Sequence, residues 1–173
     1  MGARPLCFDP HPILRAKAEP VGAVTQDIRR LVRDMLDTMY DHDGIGLAAP
    51  QIGQSLQLFV ASPSQERGRE LVVINPLLEP VGGRVTVMEG CLSLPNVWRR
   101  ITRTARVRLW GKDASGNPLA VEAEGLLAIV LQHEFDHLQG RLFVDRLPWW
   151  RRRPRNKLRE DYADSPVSRH PES

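Results

Sequence analysis

Cysteine is scarce in this chain, with two residues in 173, at positions 7 and 91. So few and so far apart, they exclude the disulfide framework that holds small secreted domains together and point to a reducing compartment. Long apolar runs are also missing. No stretch approaches the roughly twenty residues of a membrane span, and Met1–Pro20 lacks the continuous apolar segment of a secretory leader. Gly2 is no myristoylation signal, because Leu6 stands where Ser or Thr is required. The cytoplasm is therefore the expected location. Internal repeats are absent, and no low-complexity segment precedes the C-terminal stretch. The length suits one domain with a core of its own and is too short for two.

Charge imbalance is lacking as well, except at one end. Residues 1–148 hold 17 Lys and Arg against 17 Asp and Glu, whereas 149–173 hold 7 against 4, which accounts for the whole net charge of +3. Trp149, Trp150, Arg151, Arg152, Arg153, Arg155 and Lys157 thus form a local basic patch with two aromatics. This divides the chain into a folded domain over 1–148 and a basic tail over 149–173, partly disordered. Pro154, Pro166 and Pro171 confine any tail helix to Arg155–Ala163, because an interior proline breaks a helix. Ser165–Ser173 is expected to be disordered.

What is present begins with a helix. Thr25 is a suitable N-cap, and Ile28, Leu31, Val32, Met35, Leu36 and Met39 recur at helical spacing until Asp43 and Gly44. The methionines suit core filling. Leu56–Ala61 and Leu71–Ile74 read as buried strands with Ser62–Glu70 as a loop between them, and Arg84–Met88 leads into the segment of Cys91, a strand-like run expected to stop at Pro95. Ala105, Val107 and Leu109 alternate, Ser115–Pro118 makes a turn, and Leu119, Val121 and Ala123 alternate again, giving a hairpin. The order of helix, strands and helix predicts an α+β domain with mostly antiparallel sheets packed around a central metal-binding helix.

That last helix carries the chemistry. Residues 132–138 read Gln-His-Glu-Phe-Asp-His-Leu, containing H-E-x-x-H. On a helix His133 and His137 lie one turn apart on one face and can bind one ion, with Glu134 beside them as a base. Leu126, Ile129, Val130 and His133 fall at i, i+3, i+4 and i+7, so the histidines continue a buried apolar stripe, and Gly140 stands where a C-terminal cap belongs. No further histidine follows except His170 in the tail. Cys91, within Glu89-Gly-Cys-Leu-Ser-Leu-Pro95, is the candidate third ligand. A thiolate and two imidazoles leave a fourth position open, the pattern of a catalytic site. As a free cysteine it equally suits a small buried hydrophobe.

Three segments together, Gly44-Ile-Gly-Leu-Ala-Ala-Pro-Gln-Ile-Gly53, Glu89–Pro95 and Gln132–Gly140, resemble the signature segments of the peptide deformylases of bacterial type, in the family's order. Asp9-Pro10, Leu14-Arg15, Ala18 and Pro20-Val21 resemble its N-terminal strand and turn, so the likeness runs from about residue 5 to about residue 147. The resemblance implies a deformylase-like catalytic domain that removes the N-formyl group from the initiator methionine of nascent polypeptides and releases formate. It implies one divalent metal ion on Cys91, His133 and His137, Fe²⁺ in the cell with Zn²⁺ or Ni²⁺ after purification. Catalysis would fall to Glu134, to the side-chain amide of Gln51 and to the backbone N–H of Leu92. Ile45, Val87, Leu126, Ile129 and Val130 would line the methionine pocket, while backbone near Gly46 and Leu94 pairs with the peptide. Glu89 and Arg103 match a structural pair, and Trp98 with Val97 stands where relatives often carry a ligand-contacting Arg or Tyr. Gly44, Gly46 and Gly53 would let the loop bring Gln51 close.

Rival readings of the same residues are a general zinc peptidase, since H-E-x-x-H serves those too, and a ribosome-binding protein with a structural metal, suggested by the Trp-Arg tail. The expected partners are N-formylmethionyl nascent peptides and the ribosome through the basic tail, with no membrane and no specific nucleic-acid sequence.

Overall fold

The structure is a computed structural model that describes residues 2–151. Helix α1 (Gln26–Asp41) comes first, followed by strands β1 (Gly46–Ala48), β2 (Leu58–Ala61), β3 (Leu71–Cys91), β4 (Leu94–Lys112) and β5 (Pro118–Glu124), and then helix α2 (Gly125–Leu138). Short 3-10 turns cover Pro12–Arg15, Ala49–Ile52, Phe143–Arg146 and Trp149–Arg151. The fold is α+β, as expected. All five strands join one sheet in chain order, with every neighbouring pair antiparallel. The tail helix expected over Arg155–Ala163 and the disorder expected over Ser165–Ser173 lie outside the described residues. No helix among the described residues is long and apolar enough to cross a membrane.

Thr25 caps α1 as its sequence predicts, accepting a hydrogen bond from the Ile28 N–H at 3.4 Å, an arrangement typically worth about 1 kcal/mol. Met35 and Met39 are wholly buried and pack with Leu31, Leu58, Val60 and Ile74. Phe59 and Ala61, alternating with Leu58 and Val60 along β2, face the opposite way into a cluster with Leu109, Ala128 and Leu131. The period-two alternation of a strand thus places α1 on one face of β2 and α2 on the other. Burial of each such large side chain contributes about 1.5–3 kcal/mol.

Several strand boundaries differ from expectation, β2 among them, which begins at Leu58 and not at Leu56. Leu71–Ile74 and Arg84–Met88 are parts of a single strand of 21 residues, because β3 passes through register irregularities at Ile74/Leu77, Pro80/Gly82 and Glu89/Cys91 instead of ending. Such bulges bend a strand while preserving its ladder on either side. Beyond Gly82 and Arg106 neither β2 nor β5 pairs any longer, so β3 and β4 continue as a two-stranded ribbon with Cys91 near its tip. Pro95, expected to end the cysteine segment, lies inside β4, next to the irregularity between Glu89 and Cys91, where a missing N–H costs little. The expected N-terminal strand is reduced to a single bridge between Glu19 and Leu56, with Pro12–Arg15 wound as a 3-10 turn.

Helix α2 ends in the predicted way. Gly140 has φ +69°, its N–H reaches the His137 carbonyl, and the Arg141 N–H reaches the Asp136 carbonyl at 2.9 Å. This is the Schellman arrangement, and it satisfies carbonyls that would otherwise be stranded at the end of the metal-motif helix. A side chain at 140 would also overlap the chain, since a Cβ there would sit 2.6 Å from the Arg15 carbonyl oxygen. The stripe expected from Leu126 to His133 needs correction at its first member. Leu126 is 53% exposed, whereas Ile129 and Val130 are buried. Only the first turn of α2 projects beyond the layers that cover the rest.

Candidate metal centre

The ribbon tip and α2 bring Cys91, His133 and His137 together. One potential ligand atom from each lies within 4.8 Å of the others, and Cys91 Sγ is 3.2 Å from His137 Nε2. The helix supplies two ligands one turn apart. The third comes from the hairpin in which Leu92 and Ser93 connect β3 to β4, with Cys91 opposite Leu94. Cys91 and Leu92 are half-buried while His137 is buried, so the cluster is sunk but reachable from solvent. A soft thiolate and two imidazoles at this separation fit a single divalent transition-metal ion.

One of the three candidate ligands, His133, is held from behind. His133 Nδ1 lies 2.9 Å from Glu89 Oε2, which fixes the ring and turns Nε2 toward the cluster. Burial opposes ionisation of Glu89, yet hydrogen bonds with His133 and Arg103 and their fields bring its pKa down to about 2. Arg103 is fully buried and donates to Glu89 Oε1 at 2.5 Å and Oε2 at 2.7 Å. A third bond runs from the same guanidinium to Asp136 Oδ2 at 2.8 Å. The expected pairing of Glu89 with Arg103 is therefore present, and Asp136 serves as a hydrogen-bond partner. Burial lowers the pKa of His133, but bonds to Cys91 and Glu89 and the charges around it outweigh this and push it up to about 10. His137 goes well below the usual histidine range through burial and the nearby cationic groups. One ring is thus set toward protonation and its neighbour toward neutrality, and taking up a cation requires release of the proton on the first.

Glu134 is buried, and burial raises its pKa to about 7, with the carboxylates of Glu89 and Asp136 adding to the shift and the cations of His133 and Arg103 opposing it. Its Oε2 and the Nδ1 of His137 have no hydrogen-bond partner among the described residues. A buried carboxyl with one unpaired oxygen and a pKa raised to about 7 is suited to carrying a proton in both directions. It can lie there because residue 46 is glycine. A Cβ on Gly46 would overlap the Glu134 side chain, falling 2.9 Å from Cδ. Sequence reasoning assigned Gly46 to the approach of Gln51, and the structure instead sets it against the carboxylate. Gly53, with φ +76°, does end the turn that carries Gln51.

Gln51 is almost wholly buried in that turn. Its Oε1 accepts from the Ala48 N–H at 2.8 Å, which turns Nε2 toward Ser93 Oγ at 3.3 Å and Cys91 Sγ at 3.5 Å. Ser93 is one partner that sequence reasoning missed. Phe143 is another, stacked on His133 with centroids 6.0 Å apart, and so is Arg146, which binds Asp136. None has a local signal: Ser93 lies 42 positions from Gln51, and Phe143 and Arg146 meet α2 only because the chain turns back after Gly140. Of the proposed pocket residues, Ile129 is buried, Ile45 and Val87 are half-buried, Leu126 is exposed, and Val130 is packed in the core cluster with Phe59 and Leu131. Leu94 is buried in a third cluster with Leu14 and Phe143. Trp98 is 62% exposed and its ring lies against Gly90, while Val97 is buried.

Known proteins share this fold and much of this sequence. The sequence profile of the polypeptide deformylases matches residues 3–153. A peptide deformylase of Alkalilimnicola ehrlichii is 48% identical over 151 residues, covering 86% of this chain and 85% of its own. The crystal structure of a Legionella pneumophila peptide deformylase superposes with a TM-score of 0.87 at 38% identity, over 95% of this chain and 100% of that one. A Synechococcus elongatus peptide deformylase, solved with actinonin, gives 0.85 at 37% identity, over 95% and 90%.

The carboxylate of Glu89 sets a pH signature. Its pKa is about 2 in the fold against an ordinary 4.5, so its stabilisation is complete above the higher value and is lost as pH falls through the lower. Glu89→Gln is expected to cost about 3 kcal/mol near pH 7, because it takes one carboxylate from a buried guanidinium. Measured as urea midpoints, the gap between wild type and variant should hold steady down to about pH 5 and narrow below about pH 4.5. A gap independent of pH would show that the carboxyl is not depressed.

Proposed function

The chain belongs to the peptide deformylase family and is an enzyme of that family, and on this premise we propose that it acts in the cytoplasm on N-formylmethionyl nascent polypeptides, with one divalent metal ion held by Cys91, His133 and His137. The observation that carries this reading is the convergence of those three side chains beside a buried glutamate, Glu134, one of whose oxygens has no hydrogen-bond partner among the described residues. Such an ion supplies Lewis acidity and lowers the pKa of water to roughly 7. Thiolate with imidazole suits Fe²⁺ or Zn²⁺ by softness. We assign Fe²⁺ in the cell, with Zn²⁺ or Ni²⁺ after aerobic purification, to be checked by elemental analysis of protein prepared without oxygen.

The remaining steps belong to the chain. Glu134 takes a proton from water as a C–O bond forms at the formyl carbon, then delivers it to the departing amine as the C–N bond breaks, leaving formate and a free N-terminus. The Gln51 amide, already oriented by Ala48, and the Leu92 N–H in the turn after Cys91 would receive the developing oxyanion, each worth about 3–4 kcal/mol. Strand β1 ends the sheet and places Gly46 against Glu134, so its outer edge is available to an extended peptide. Together with Leu94 it would bind substrate backbone and leave later residues in solvent. Leu126 and Ile129 share the face of α2 that carries His133, and we assign these two, with Ile45, Val87 and Val130, to the methionine side chain.

Glu134→Gln should keep folding and metal content while formate release from a formyl-Met peptide falls by at least about 100-fold, the effect of losing a general base. Cys91→Ser should lose the metal. Near-normal turnover in Glu134→Gln would reject the mechanism, and hydrolysis of internal bonds in unformylated peptides would favour the general peptidase.

Filling the pocket tests specificity. Ile129→Phe is expected to lower kcat/KM for formyl-Met peptides more than for formyl peptides with a small first residue, by about tenfold in the ratio, as overfilling a hydrophobic pocket costs about 1–3 kcal/mol. An unchanged ratio would place the methionine pocket elsewhere.

We further propose that the basic tail from Trp149 contacts the ribosome. Truncation after Pro148 should reduce ribosome co-sedimentation at low salt, where the full-length interaction is strongest, and spare turnover of short peptides. Equal co-sedimentation of the two proteins would refute the contact.

A further inference from the structure

The segment after α2 reaches back to the metal ligands. Arg146 donates from Nε to Asp136 Oδ2 at 2.6 Å and from Nη2 to Asp136 Oδ1 at 2.7 Å, a two-pronged grip on the helix between the two histidines. Asp136 Oδ2 also accepts from Arg103, which holds both oxygens of Glu89, and Glu89 in turn meets His133 Nδ1. An unbroken series of charge-assisted hydrogen bonds therefore runs from a guanidinium that is 36% exposed to a buried imidazole. The same 3-10 turn sets Phe143 against the His133 ring. Its place is fixed from outside by Arg15, which binds both Asp145 and Asp9.

Charge explains why the grip matters. Glu89 and Asp136 are two buried carboxylates, and Arg103 is a single cation between them. With Arg146 present the four side chains balance, and Arg103 can give two of its bonds to Glu89. Without it, Glu89 and Asp136 would be left to share the one guanidinium of Arg103, and Asp136 would draw that guanidinium toward itself, loosening Glu89 and with it the ring of His133. We propose that Arg146 is a positioning residue of the metal centre, acting through Asp136, Arg103 and Glu89 on the orientation of His133. This rests on the reading of Cys91, His133 and His137 as metal ligands.

The direction of the effect separates geometry from charge. Removing a positive charge would by itself favour a nearby cation and slow its release, whereas loosening His133 speeds release. Full-length protein is loaded with Co²⁺, and loss of the thiolate-to-cobalt absorption is timed in the presence of a chelator. Arg146→Met should release the ion about tenfold faster than wild type, at the low end of what partners behind a ligand contribute, and its absorption band should shift. Arg146→Lys keeps the charge but cannot grip both oxygens, and should fall between the two. Release and spectrum equal to wild type would overturn the proposal, including the case in which only the urea midpoint drops, which would mark a plain structural brace. Should Arg146→Met fail to fold, Arg146→Lys decides on the same readout. Absence of a thiolate band in wild type would overturn the ligand set itself, and with it this inference.

Discussion

The buried guanidinium of Arg103 is the contact on which the rest depends. It comes from β4, binds Glu89 on β3 and Asp136 on α2, and so joins the two-stranded ribbon to the helix at one point. Gln132 reinforces the same junction by exchanging hydrogen bonds with the backbone of Thr104. A buried ion pair often contributes little net stability against apolar residues of the same volume, but breaking one is costly. Its value here lies in geometry. The ribbon that carries the thiolate extends past the last pairing of β2 and β5, and without a fixed attachment to α2 the distance between thiolate and imidazoles would be free to vary.

Around that junction the site is built by exclusion. Glu134 is stripped of solvent, has one unpaired oxygen, and occupies space that residue 46 leaves by having no side chain. Its pKa rises to about 7 because burial disfavours the carboxylate more than the nearby cations favour it. A carboxyl on an exposed helix face would sit near its ordinary value and exchange protons poorly at neutral pH. In the proposed mechanism the same helix would supply two ligands and a proton carrier, and the difference in environment between adjacent positions would separate the roles.

A second group of constraints acts on Gln51. Its amide could face either way, and the N–H of Ala48 claims the oxygen, leaving the NH₂ for the Cys91–Ser93 turn. The amide is therefore oriented without any substrate, which is the condition under which the proposed oxyanion donor would lower a barrier without reorganising.

Much of this was legible in the chain itself. Helical periodicity located α1 and its Thr25 cap, strand alternation located the β4–β5 hairpin, and Gly140 marked the end of α2, because these are local consequences of backbone geometry. The spacing of His133 and His137 put both rings on one face for the same reason, and the family segments pointed to Cys91, which the fold brings beside them. Tertiary structure alone decided the rest. It joined two short strand signals into β3 through bulges that leave no periodic trace, left Leu126 exposed on the first turn of α2, and gave Gly46 its meaning against a side chain 88 positions away. It also placed Phe143 and Arg146 behind the histidines and Ser93 beside Gln51. Local patterns record what each residue asks of its own backbone. A contact between remote segments depends on the path of the chain between them, and no single segment encodes that path.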